Sequence, residues 1–435
     1  MPLPPLANSA TNRLAIRNWH RFLKTKTSNM QTLTPEIPAI NISSNTSQKQ
    51  YTGKSNGAPG PFKQYLINLA IKCNIFWLAV IALRRPAIIW QVYRHMIKTR
   101  DAIWGGNMTK IFMVGGRYYY SIYSPGWPSK AYNNVIKREL LRHTNPHLSA
   151  EKPSFIFLAI TRKCPMRCEH CFEWDNLNQK ESFTKEELLK TVQLYQQQEV
   201  LQIHFSGGEP MVRIKDLLEI IAYTSRKSEC WVLTSGFNLN AQNARLLKQA
   251  GCSGVVVSID HYIPELHNLF RGHSQSFNMA IEAVKAAQQE GLVTALSVCA
   301  TKQFLSQGSL LPYIEFAHKL GVQFVQVLEP VQVGHYENAN VLLEEIHLQQ
   351  VELVFKKVNH EPAYKKYPTL MYHGYHQRRI GCFSGSRSVY IDSAGDVHAC
   401  PFCHTKSFNI IDHIRKGEKT LPQKENQCPR FGRIA

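Results

Sequence analysis

Short apolar stretches alternate with amphipathic stretches between residues 155 and 328. Each apolar stretch has the length of a strand and is apolar on both faces, as in buried parallel sheets. The amphipathic stretches repeat apolar residues at helical spacing, and a Thr184–Glu187 capping box opens the first of them. The predicted strands are 155–161, 201–207, 230–235, 254–260, 294–300 and 322–328, and the predicted helices are 184–198, 215–227, 240–250, 277–290 and 309–320. This alternation predicts an α/β fold, a partial (β/α)6 TIM-type barrel of parallel strands.

The composition changes on both sides of this barrel and suggests where the domains begin and end. Ser, Thr, Asn, Gln and Pro dominate the start of the chain, which we expect to be disordered there. We predict a disordered polar tail (1–62), a basic, partly helical N-terminal extension with a hairpin (63–150), the barrel (151–340), a linking helical segment with a helix near 343–359 (341–380), and a small C-terminal domain (381–435).

The N-terminal extension begins with the apolar stretch YLINLAIKCNIFWLAVIALRRP, residues 65–86, and a second helix is predicted after Pro86. The uninterrupted apolar run, Ile75–Leu83, is nine residues long, whereas a membrane-spanning helix needs about 20. Apolar helices edged with Lys and Arg fit a membrane-surface element and fit a helical cap on the barrel equally well, with a transmembrane span as a third alternative. Residues 110–123 predict a hairpin that turns at Gly115–Gly116.

Positive charge is concentrated in the first 150 residues. They hold 20 Lys and Arg against Glu36, Asp101 and Glu139, which is +17 of the net charge of +20 on the 435-residue chain. This imbalance suggests an anionic partner surface, a membrane or a nucleic acid, or else a basic region without a specific partner. Of the two anionic surfaces we favour a membrane, contacted through residues 63–100, over a nucleic acid.

The cysteine content indicates the cellular compartment. Residues 1–30 carry no apolar core of a secretory signal, and several of the 11 cysteines are clustered. Clustered cysteines without a signal indicate a reducing cytoplasm and a bound metal in place of disulfides. The acid-poor start also resembles an organelle transit peptide, which we keep as an alternative to a cytoplasmic location, with or without membrane association.

Three cysteines follow the first predicted strand, in the stretch ITRKCPMRCEHCFE. Cys164, Cys168 and Cys171 have the spacing C-x3-C-x2-C and lie where barrels of this kind place their chemistry. A closed zinc site needs four ligands, and His170 is poorly placed for the fourth because it lies between two of the cysteines. A cubane iron–sulfur cluster can be held by three thiolates, which leaves one iron open.

The triplet resembles the radical S-adenosylmethionine (SAM) superfamily when it is taken together with FSGGEP, residues 205–210, after the second strand. The resemblance implies a [4Fe–4S] cluster on the three cysteines, with the amino and carboxylate groups of SAM on the open iron. It also implies reductive cleavage of SAM to a 5′-deoxyadenosyl radical, which abstracts hydrogen from the substrate. A reductant such as a ferredoxin or flavodoxin is implied as partner.

The same resemblance assigns SAM-binding roles to residues at the ends of the strands. In the GGEP loop, Gly207 and Gly208 permit close backbone approach, and Glu209 offers an acceptor to the SAM ammonium group. Arg271 suits the SAM carboxylate because its guanidinium can bind it through two hydrogen bonds. His170 stands where relatives commonly have an aromatic residue on the adenine. The predicted SAM-binding residues are His170, Gly207, Gly208, Glu209, Pro210, Ser235, Ser258, Asp260 and Arg271.

A second group of cysteines lies near the C-terminus. Cys382, Gly395 and Cys400 resemble the opening C-x(9–15)-G-x4-C of SPASM and Twitch auxiliary domains, around a predicted hairpin that turns at 393–396. Four cysteines suffice for one auxiliary [4Fe–4S] cluster, so the Twitch-like version fits better. Structural zinc is the alternative, because C-x2-C with two further cysteines is also zinc spacing. The predicted auxiliary ligands are Cys382, Cys400, Cys403 and Cys428.

The resemblance therefore implies a radical SAM enzyme, with peptide maturation as the expected use because relatives with auxiliary clusters often modify peptides. The same chemistry on a membrane-held lipid or a small metabolite is the alternative substrate class. A non-catalytic iron–sulfur electron carrier or a zinc-stabilised binding module is the alternative from another functional class.

Overall fold

The computed structural model describes residues 59–83, 85–108, 110–144 and 152–422. Cys428 and the predicted polar tail, apart from residues 59–62, lie outside the described residues. The described helices are α1 Pro61–Leu83, α2 Pro86–Trp104, α3 Lys130–Thr144, α4 Lys185–Gln197, α5 Ile214–Thr224, α6 Ala241–Ala250, α7 Pro264–Arg271, α8 Ser276–Gln289, α9 Lys302–Ser306, α10 Leu310–Lys319, α11 Glu345–His360, α12 His373–Ile380 and α13 Ile410–Arg415.

A mostly parallel sheet forms the centre of the molecule. The described strands are β1 Phe112–Val114, β2 Arg117–Tyr119, β3 Phe155–Ala159, β4 Gln202–Ser206, β5 Glu229–Thr234, β6 Cys252–Ser258, β7 Val293–Cys299, β8 Phe324–Leu328, β9 Thr369–Tyr372, β10 Ser388–Ile391, β11 Asp396–Cys400 and β12 Cys403–Asn409. The sheet has the order β12-β11-β10-β3-β4-β5-β6-β7-β8-β9. Strands β10 and β3 to β9 pair in parallel, whereas β11 and β12 pair antiparallel.

The structure confirms the predicted mixed α/β fold. Strands β3 to β8 correspond to the predicted strands, and helices α4, α5, α6, α8 and α10 correspond to the predicted helices. The capping box at Thr184 and Glu187 is present, with both of its hydrogen bonds. The hairpin β1–β2 turns at Gly115 and Gly116, whose φ angles of 57° and 78° are those of a left-handed turn.

The sheet is larger than predicted, because two further strands join its parallel part. Strand β9 lies within 341–380, which was predicted as a helical link, and pairs with β8. Strand β10 lies within 381–435, which was predicted as a separate domain, and pairs in parallel with β3. Strand β9 has four residues, too few for a clear periodic signal, whereas β10 and β11 form the hairpin that was predicted to turn at 393–396. The pairing of β9 with β8 and of β10 with β3 joins distant parts of the sequence, and a local pattern does not reveal it. Within the described residues, the C-terminal segment therefore continues the barrel sheet.

The hairpin β1–β2 and the residues after it pack on the N-terminal ends of the barrel strands. The ring of Phe112 lies 5.5 Å from that of Phe324, at the start of β8. The ring of Tyr123 lies 5.5 Å from that of Phe155, at the start of β3. The cysteine triplet follows the end of β3, so it lies at the opposite end of the barrel.

The three N-terminal helices have a hydrophobic core of their own. Ile67, Ile71 and Ile75 of α1 are buried in a cluster that includes Val92 of α2 and Leu140 of α3. Among the described residues one helix, Phe62–Leu83, is long and apolar enough to cross a membrane by length and composition, with a mean hydropathy of 2.0. One face of this helix is packed against its neighbours in the fold.

Candidate functional site

The cysteine triplet and most of the predicted SAM-binding residues line one cavity of about 590 Å³. This volume is in the range of small-molecule and cofactor sites. The predicted residues that line it are Cys164, Cys168, His170, Cys171, Gly207, Gly208, Glu209, Ser235, Ser258, Asp260, Arg271 and Cys400. Pro210 is buried at the start of a short 3-10 turn, Pro210–Arg213, and does not line the cavity.

The GGEP loop lies directly against the residues that precede Cys164. The Gly208 amide donates to the Thr161 carbonyl at 2.8 Å, and the Glu209 amide donates to the Lys163 carbonyl at 2.8 Å. A Cβ atom on Gly207 would lie 2.7 Å from the Thr161 oxygen, and one on Gly208 would lie 2.4 Å from the Lys163 oxygen. Both positions therefore need glycine, because a side chain would push the two motifs apart.

A loop after β8 holds the other end of the cysteine segment. The His335 amide donates to the Cys171 carbonyl at 2.9 Å, and the His335 ring nitrogen Nδ1 lies 3.1 Å from the Cys168 carbonyl. The His335 ring also stacks on Trp174, with centroids 3.8 Å apart. A Cβ atom on Gly334 would lie 2.4 Å from the Cys171 oxygen, so the loop can approach this closely only with glycine there.

Asn178 fixes the first cysteine. Its Oδ1 accepts from the Cys164 amide at 3.0 Å, and its Nδ2 donates to the Cys164 carbonyl at 3.2 Å. Asn178 has a φ of 59°, a conformation that asparagine adopts more readily than most residues. Asn178 was not predicted from the sequence, because it lies in an irregular stretch with no motif and its left-handed backbone is not visible in the pattern.

Glu173 ties the cysteine segment to the β10–β11 hairpin. The Ser393 hydroxyl donates to Glu173 Oε2 at 2.7 Å, and the Tyr390 hydroxyl donates to Glu173 Oε1. Burial raises the pKa of Glu173, and the hydrogen bonds from Tyr390 and Ser393 oppose that rise. Glu173 was not predicted from the sequence either, because its partners come from a hairpin more than 200 residues further along the chain.

The carboxylate of Glu209 is surrounded by donors from its own chain. Its Oε1 accepts from the Thr234 hydroxyl at 2.7 Å and the Met211 amide at 3.0 Å, and its Oε2 accepts from the Ser235 hydroxyl at 2.6 Å and amide at 2.7 Å. These four bonds use the acceptor capacity of a carboxylate. Ser235, predicted to reach SAM, thus donates its hydroxyl to Glu209. The geometry gives Glu209 the role of joining the ends of β4 and β5.

Asp260 and Arg271 form a buried ion pair next to the second cysteine. The Arg271 guanidinium donates from Nε and Nη2 to Asp260 Oδ2, each at 2.6 Å, and its Nη1 lies 3.5 Å from Cys168 Sγ. Burial would raise the pKa of Asp260. Arg271 lowers that pKa the most, His170 and His267 lower it further, and the result lies below the usual value of an aspartate. Asp260 Oδ1 accepts from the Cys299 amide at 2.9 Å, so the carboxylate is fixed on both sides.

His170 lies in the cavity wall with its ring stacked on Phe270, the centroids 4.8 Å apart. Burial lowers the pKa of His170 to about 4, so the imidazole is neutral. Its buried Nδ1 has no hydrogen-bond partner among the described residues. An unpaired buried polar atom is costly, so this nitrogen indicates a place for a ligand group. Ser258, at the end of β6, is partly exposed in the same wall.

Burial raises the pKa of all three thiols of the triplet. The pKa of Cys164 rises to about 12, and those of Cys168 and Cys171 rise as well, although Arg271 opposes the rise at Cys168. Such thiols are poor nucleophiles, because the thiolate is the reactive form. A bound metal deprotonates a coordinating thiol outright, so thiols with raised pKa values around one cavity fit metal ligands better than catalytic cysteines.

No group of three or more His, Cys, Asp or Glu side chains in the described part of the chain is placed to hold a single metal ion. Four ligands around one zinc ion, at about 2.3 Å from it for sulfur, must lie close together. A cubane cluster binds each thiolate on a different iron, so its ligands lie further apart. Three thiols around one wide cavity therefore fit a cubane cluster better than a single zinc ion.

The C-terminal cysteines are near the same end of the barrel. Cys400 and Cys403 pair across the turn between β11 and β12, and Cys400 lines the cavity. Phe402 in that turn lies 5.8 Å from the ring of Phe172, the residue after the triplet. Cys382 is buried, and its Sγ accepts from Gln377 Nε2 at 3.4 Å. The fourth predicted auxiliary ligand lies outside the described residues.

The sequence model of the Radical SAM superfamily matches residues 158–302, which contain the cysteine triplet, the GGEP loop and Arg271. Residues 158–302 form a radical SAM domain. The members of this superfamily are enzymes. The match covers the barrel from the end of β3 to the start of α9, and it leaves the N-terminal helices and the C-terminal cysteines unassigned.

Curated relatives match parts of this chain. The Fe-coproporphyrin III synthase of Methanosarcina barkeri is 32% identical over 160 residues, which cover 36% of this chain and 39% of that protein. The human molybdenum cofactor biosynthesis protein 1 is 27% identical over 224 residues, which cover 47% of this chain and 34% of that protein. The matched region thus spans about two fifths or less of each relative's length.

Solved structures share the fold of the radical SAM domain. SuiB of Streptococcus suis, bound to its precursor peptide SuiA, aligns with a TM-score of 0.51 and 14% identity over 66% of this chain and 70% of SuiB. SuiB bound to S-adenosylmethionine aligns with a TM-score of 0.50 and 15% identity over 64% and 69%. At this identity the likeness concerns the fold alone.

Proposed function

We propose that this chain binds a [4Fe–4S] cluster and SAM in the radical SAM domain and cleaves SAM reductively to start hydrogen abstraction from a substrate. The observation that carries the proposal is the convergence of the three cysteine thiols and the GGEP loop on one cavity. Direct backbone hydrogen bonds lock the two motifs together, so each fixes the position of the other. A site that binds a cluster and SAM next to each other is expected to combine two such motifs, one for each group.

Cys164, Cys168 and Cys171 are the residues that hold the cluster in this proposal. A cluster bound there and reduced by an external donor would supply the electron that breaks the bond between the SAM sulfur and C5′, giving methionine and the 5′-deoxyadenosyl radical. The chain itself supplies charge and shape. Arg271 places a permanent positive charge 3.5 Å from Cys168 Sγ, which favours the thiolate, and Asp260 fixes that guanidinium in place.

The walls of the cavity support the binding of SAM. Gly207 and Gly208 bring main chain to the cavity surface without side chains in front of it, so backbone groups there can meet the SAM amino group. Because Glu209 is already saturated, we assign ammonium recognition to this backbone and a positioning role to the Glu209 carboxylate. His170 offers its unpaired Nδ1 and a stacked ring to the adenine.

We further propose that Cys382, Cys400, Cys403 and Cys428 hold one auxiliary [4Fe–4S] cluster, as in Twitch-like domains. The support is the C-x2-C pair at the β11–β12 turn and its position beside the triplet segment. A cluster with four protein thiolates has no open iron, which suits electron transfer. Structural zinc remains the competing occupant for the same ligands.

Peptide maturation, expected from the resemblance, stays a prediction. SuiB is bound to a precursor peptide in one structure, but its likeness to this chain carries the fold alone. The cavity of this chain is better evidence for the substrate class than the fold of SuiB. The N-terminal helices line one end of this cavity and add side chains beyond the predicted SAM site.

The function is tested by anaerobic reconstitution with iron, sulfide, SAM and dithionite, followed by measurement of 5′-deoxyadenosine and bound iron. We expect 5′-deoxyadenosine from the wild type, with about eight irons per chain if both sites hold cubanes. The variant with Cys164, Cys168 and Cys171 changed to Ala should form none and keep about four irons. The variant with the four tail cysteines changed to Ser should keep about four irons and still cleave SAM. A wild type without 5′-deoxyadenosine would favour a non-catalytic iron–sulfur or zinc protein.

A further inference from the structure

The cavity that contains the cysteine triplet continues beyond the barrel into the N-terminal helices. Its lining includes Ile71 and Ile75 of α1, Ile97 of α2, and Val135 and Ile136 of α3. We call this part the apolar arm. It is lined by branched aliphatic side chains that belong to no predicted SAM contact. A cofactor site alone does not need such an extension, so the apolar arm indicates a second occupant.

Charged side chains along the arm are matched by partners from the same chain. Arg387 pairs with Glu139 at 2.7 Å, and Arg100 pairs with Asp101 at 2.8 Å. Lys110 donates to the Val358 carbonyl at 2.7 Å and to two further carbonyls. These groups are satisfied within the fold, and the aliphatic side chains between them are left to meet the occupant.

The lining of the same cavity includes two histidines, the partly exposed His373 and the buried His376. His373 lies 4.8 Å from the Tyr123 ring and 5.4 Å from the His376 ring, centroid to centroid. Burial lowers the pKa of His373 to about 4 and that of His376 to about 3, so both imidazoles are neutral at pH 7. These two side chains therefore add no charge to the cavity wall at pH 7.

The outer face of α1 is also apolar, although it is exposed. Phe62, Tyr65 and Trp77 are 75%, 64% and 62% exposed, and Trp90 at the start of α2 is 56% exposed. Leu66 and Leu69 lie between them on the same side of the helix. A helix that is apolar on all sides is buried or meets a membrane. Within the described residues no element buries this face, so it has the character of an interaction surface.

The charges around this face complement an anionic surface. Helix α1 contains Lys63 and Lys72 and no acidic residue. Helix α2 adds Arg94 and Lys98, both exposed, against the single acidic residue Asp101. Aromatic and aliphatic side chains next to Lys and Arg are the composition of helices that lie in the interface of anionic membranes.

We propose that α1 lies on an anionic membrane and that the substrate of the radical SAM domain is a lipid whose long apolar chain occupies the apolar arm. The inner face of α1, with Ile71 and Ile75, lines the arm, while its outer face meets the lipid surface. One helix thickness therefore separates the membrane from the cavity that leads to the cysteine triplet. This inference names the substrate class and rests on the proposed function.

Co-sedimentation of the full chain with lipid vesicles tests the surface. Wild type should sediment with phosphatidylglycerol vesicles and more weakly with neutral phosphatidylcholine vesicles. Changing Tyr65→Gln and Trp77→Gln together should weaken binding about tenfold or more, because two large aromatic side chains leave the interface. The matched control changes Ile346→Gln and Leu353→Gln, which are 57% and 69% exposed on α11, and it should bind like wild type.

Equal sedimentation of the α1 variant and the wild type would overturn the membrane assignment. So would a wild type that ignores phosphatidylglycerol vesicles, since the exposed face would then belong to a protein contact or a second copy of this chain.

Binding of cis-parinaric acid, a fluorescent fatty acid, tests the arm. Wild type should bind it saturably, and Ile97→Trp should weaken binding about tenfold because indole fills the arm at a partly exposed position. If that variant is unfolded by circular dichroism, Val135→Phe takes its place. The variant with the three triplet cysteines changed to Ala should bind the probe like wild type. A wild type that does not bind the probe, or an Ile97→Trp variant that binds it equally well, would overturn the inference.

The two proposals fail separately. The vesicle and probe measurements need neither SAM nor a cluster. Lost 5′-deoxyadenosine formation with intact vesicle and probe binding would overturn the enzymatic function, and with it the role of the lipid as a substrate, but would leave the membrane contact and the lipid-binding cavity in place. Normal 5′-deoxyadenosine formation without vesicle or probe binding would overturn the lipid substrate alone.

Discussion

His204 shows how strongly the barrel interior controls a single side chain. It is fully buried at the middle of β4, with its ring 5.1 Å from the Phe157 ring and 6.0 Å from the Trp231 ring. Neither of its ring nitrogens has a hydrogen-bond partner among the described residues. Burial lowers the pKa of His204 to about 3, from 6.5. The folded chain thus keeps this imidazole neutral where the unfolded chain would protonate it.

This shift predicts a loss of stability in acid. Below pH 6.5 His204 is protonated in the unfolded chain, whereas in the folded chain it stays neutral down to about pH 3. The free energy of unfolding therefore falls as pH falls through this window, by about 2 kcal/mol from this residue between pH 6.5 and pH 5. His204→Phe should remove the effect, so that the variant gains about 2 kcal/mol relative to wild type on going from pH 7 to pH 5.

Urea unfolding of both proteins at the two pH values measures the difference. His318→Phe, at a partly exposed position on α10, is the matched control for the change of side chain. A His204→Phe variant whose advantage over wild type is the same at pH 7 and pH 5 would show that His204 is not held neutral.

The sequence predicted which residues line the site better than it predicted their partners. Cys164, Cys168 and Cys171 follow β3 as the motif requires, and they reach one cavity. The donors to Glu209 come from the end of the neighbouring strand, and the partner of Asp260 comes from α7, so both carboxylates are occupied by pairings that a linear motif does not encode. Asn178 and Glu173 were missed for the same reason.

At the scale of elements, glycines set how closely the loops approach the cysteine segment. Gly334 has a φ of 54°, and a Cβ atom there would lie 2.4 Å from the Cys171 carbonyl oxygen. Gly308 has a φ of 69° but open space around its Cβ position. A side chain would therefore strain the left-handed backbone at both positions, but only at Gly334 would its Cβ atom also collide with the cysteine segment.

Gly334→Ala should therefore damage the site more than Gly308→Ala. Gly308→Ala, the control, should lose about 1–2 kcal/mol of stability from its left-handed backbone conformation and keep its iron. Gly334→Ala should in addition displace Cys171 or the β8 loop, and reconstituted protein should hold markedly less iron and form about tenfold less 5′-deoxyadenosine. Iron per chain and product formation measure the effect. If the two variants lose the same amount of both, the loop does not position the cysteine.

The elements themselves were predictable where they were long and periodic. Strands β3 to β8 and the helices between them have clear apolar patterns and were found near their observed bounds. Strand β9 was not predicted, because four residues carry little pattern, and the pairing of β9 with β8 and of β10 with β3 was not predicted because it is non-local. The order of strands in a sheet depends on which edge strands can still accept a partner in three dimensions, and the local sequence pattern carries no information on this.

At the scale of the whole molecule, the N-terminal helices and the barrel share one cavity. The sequence left a membrane-surface element, a helical cap and a transmembrane span as alternatives for the apolar helices near the N-terminus. The structure gives α1 one face packed in a core and one exposed apolar face, so the helix has the features of both. The continuity of the cavity from the cysteine triplet to these helices is a tertiary feature, and it underlies the proposed lipid substrate.

The central claim is that Cys164, Cys168 and Cys171 hold a [4Fe–4S] cluster with one iron open to SAM. The most direct test is the electron paramagnetic resonance spectrum of the reconstituted, dithionite-reduced protein, recorded before and after SAM is added. We expect a cluster signal whose shape changes with SAM in the wild type and in the tail-cysteine variant, and no SAM-dependent change when the triplet is Ala. A wild-type cluster signal that SAM leaves unchanged would show that no iron of the cluster is open to SAM.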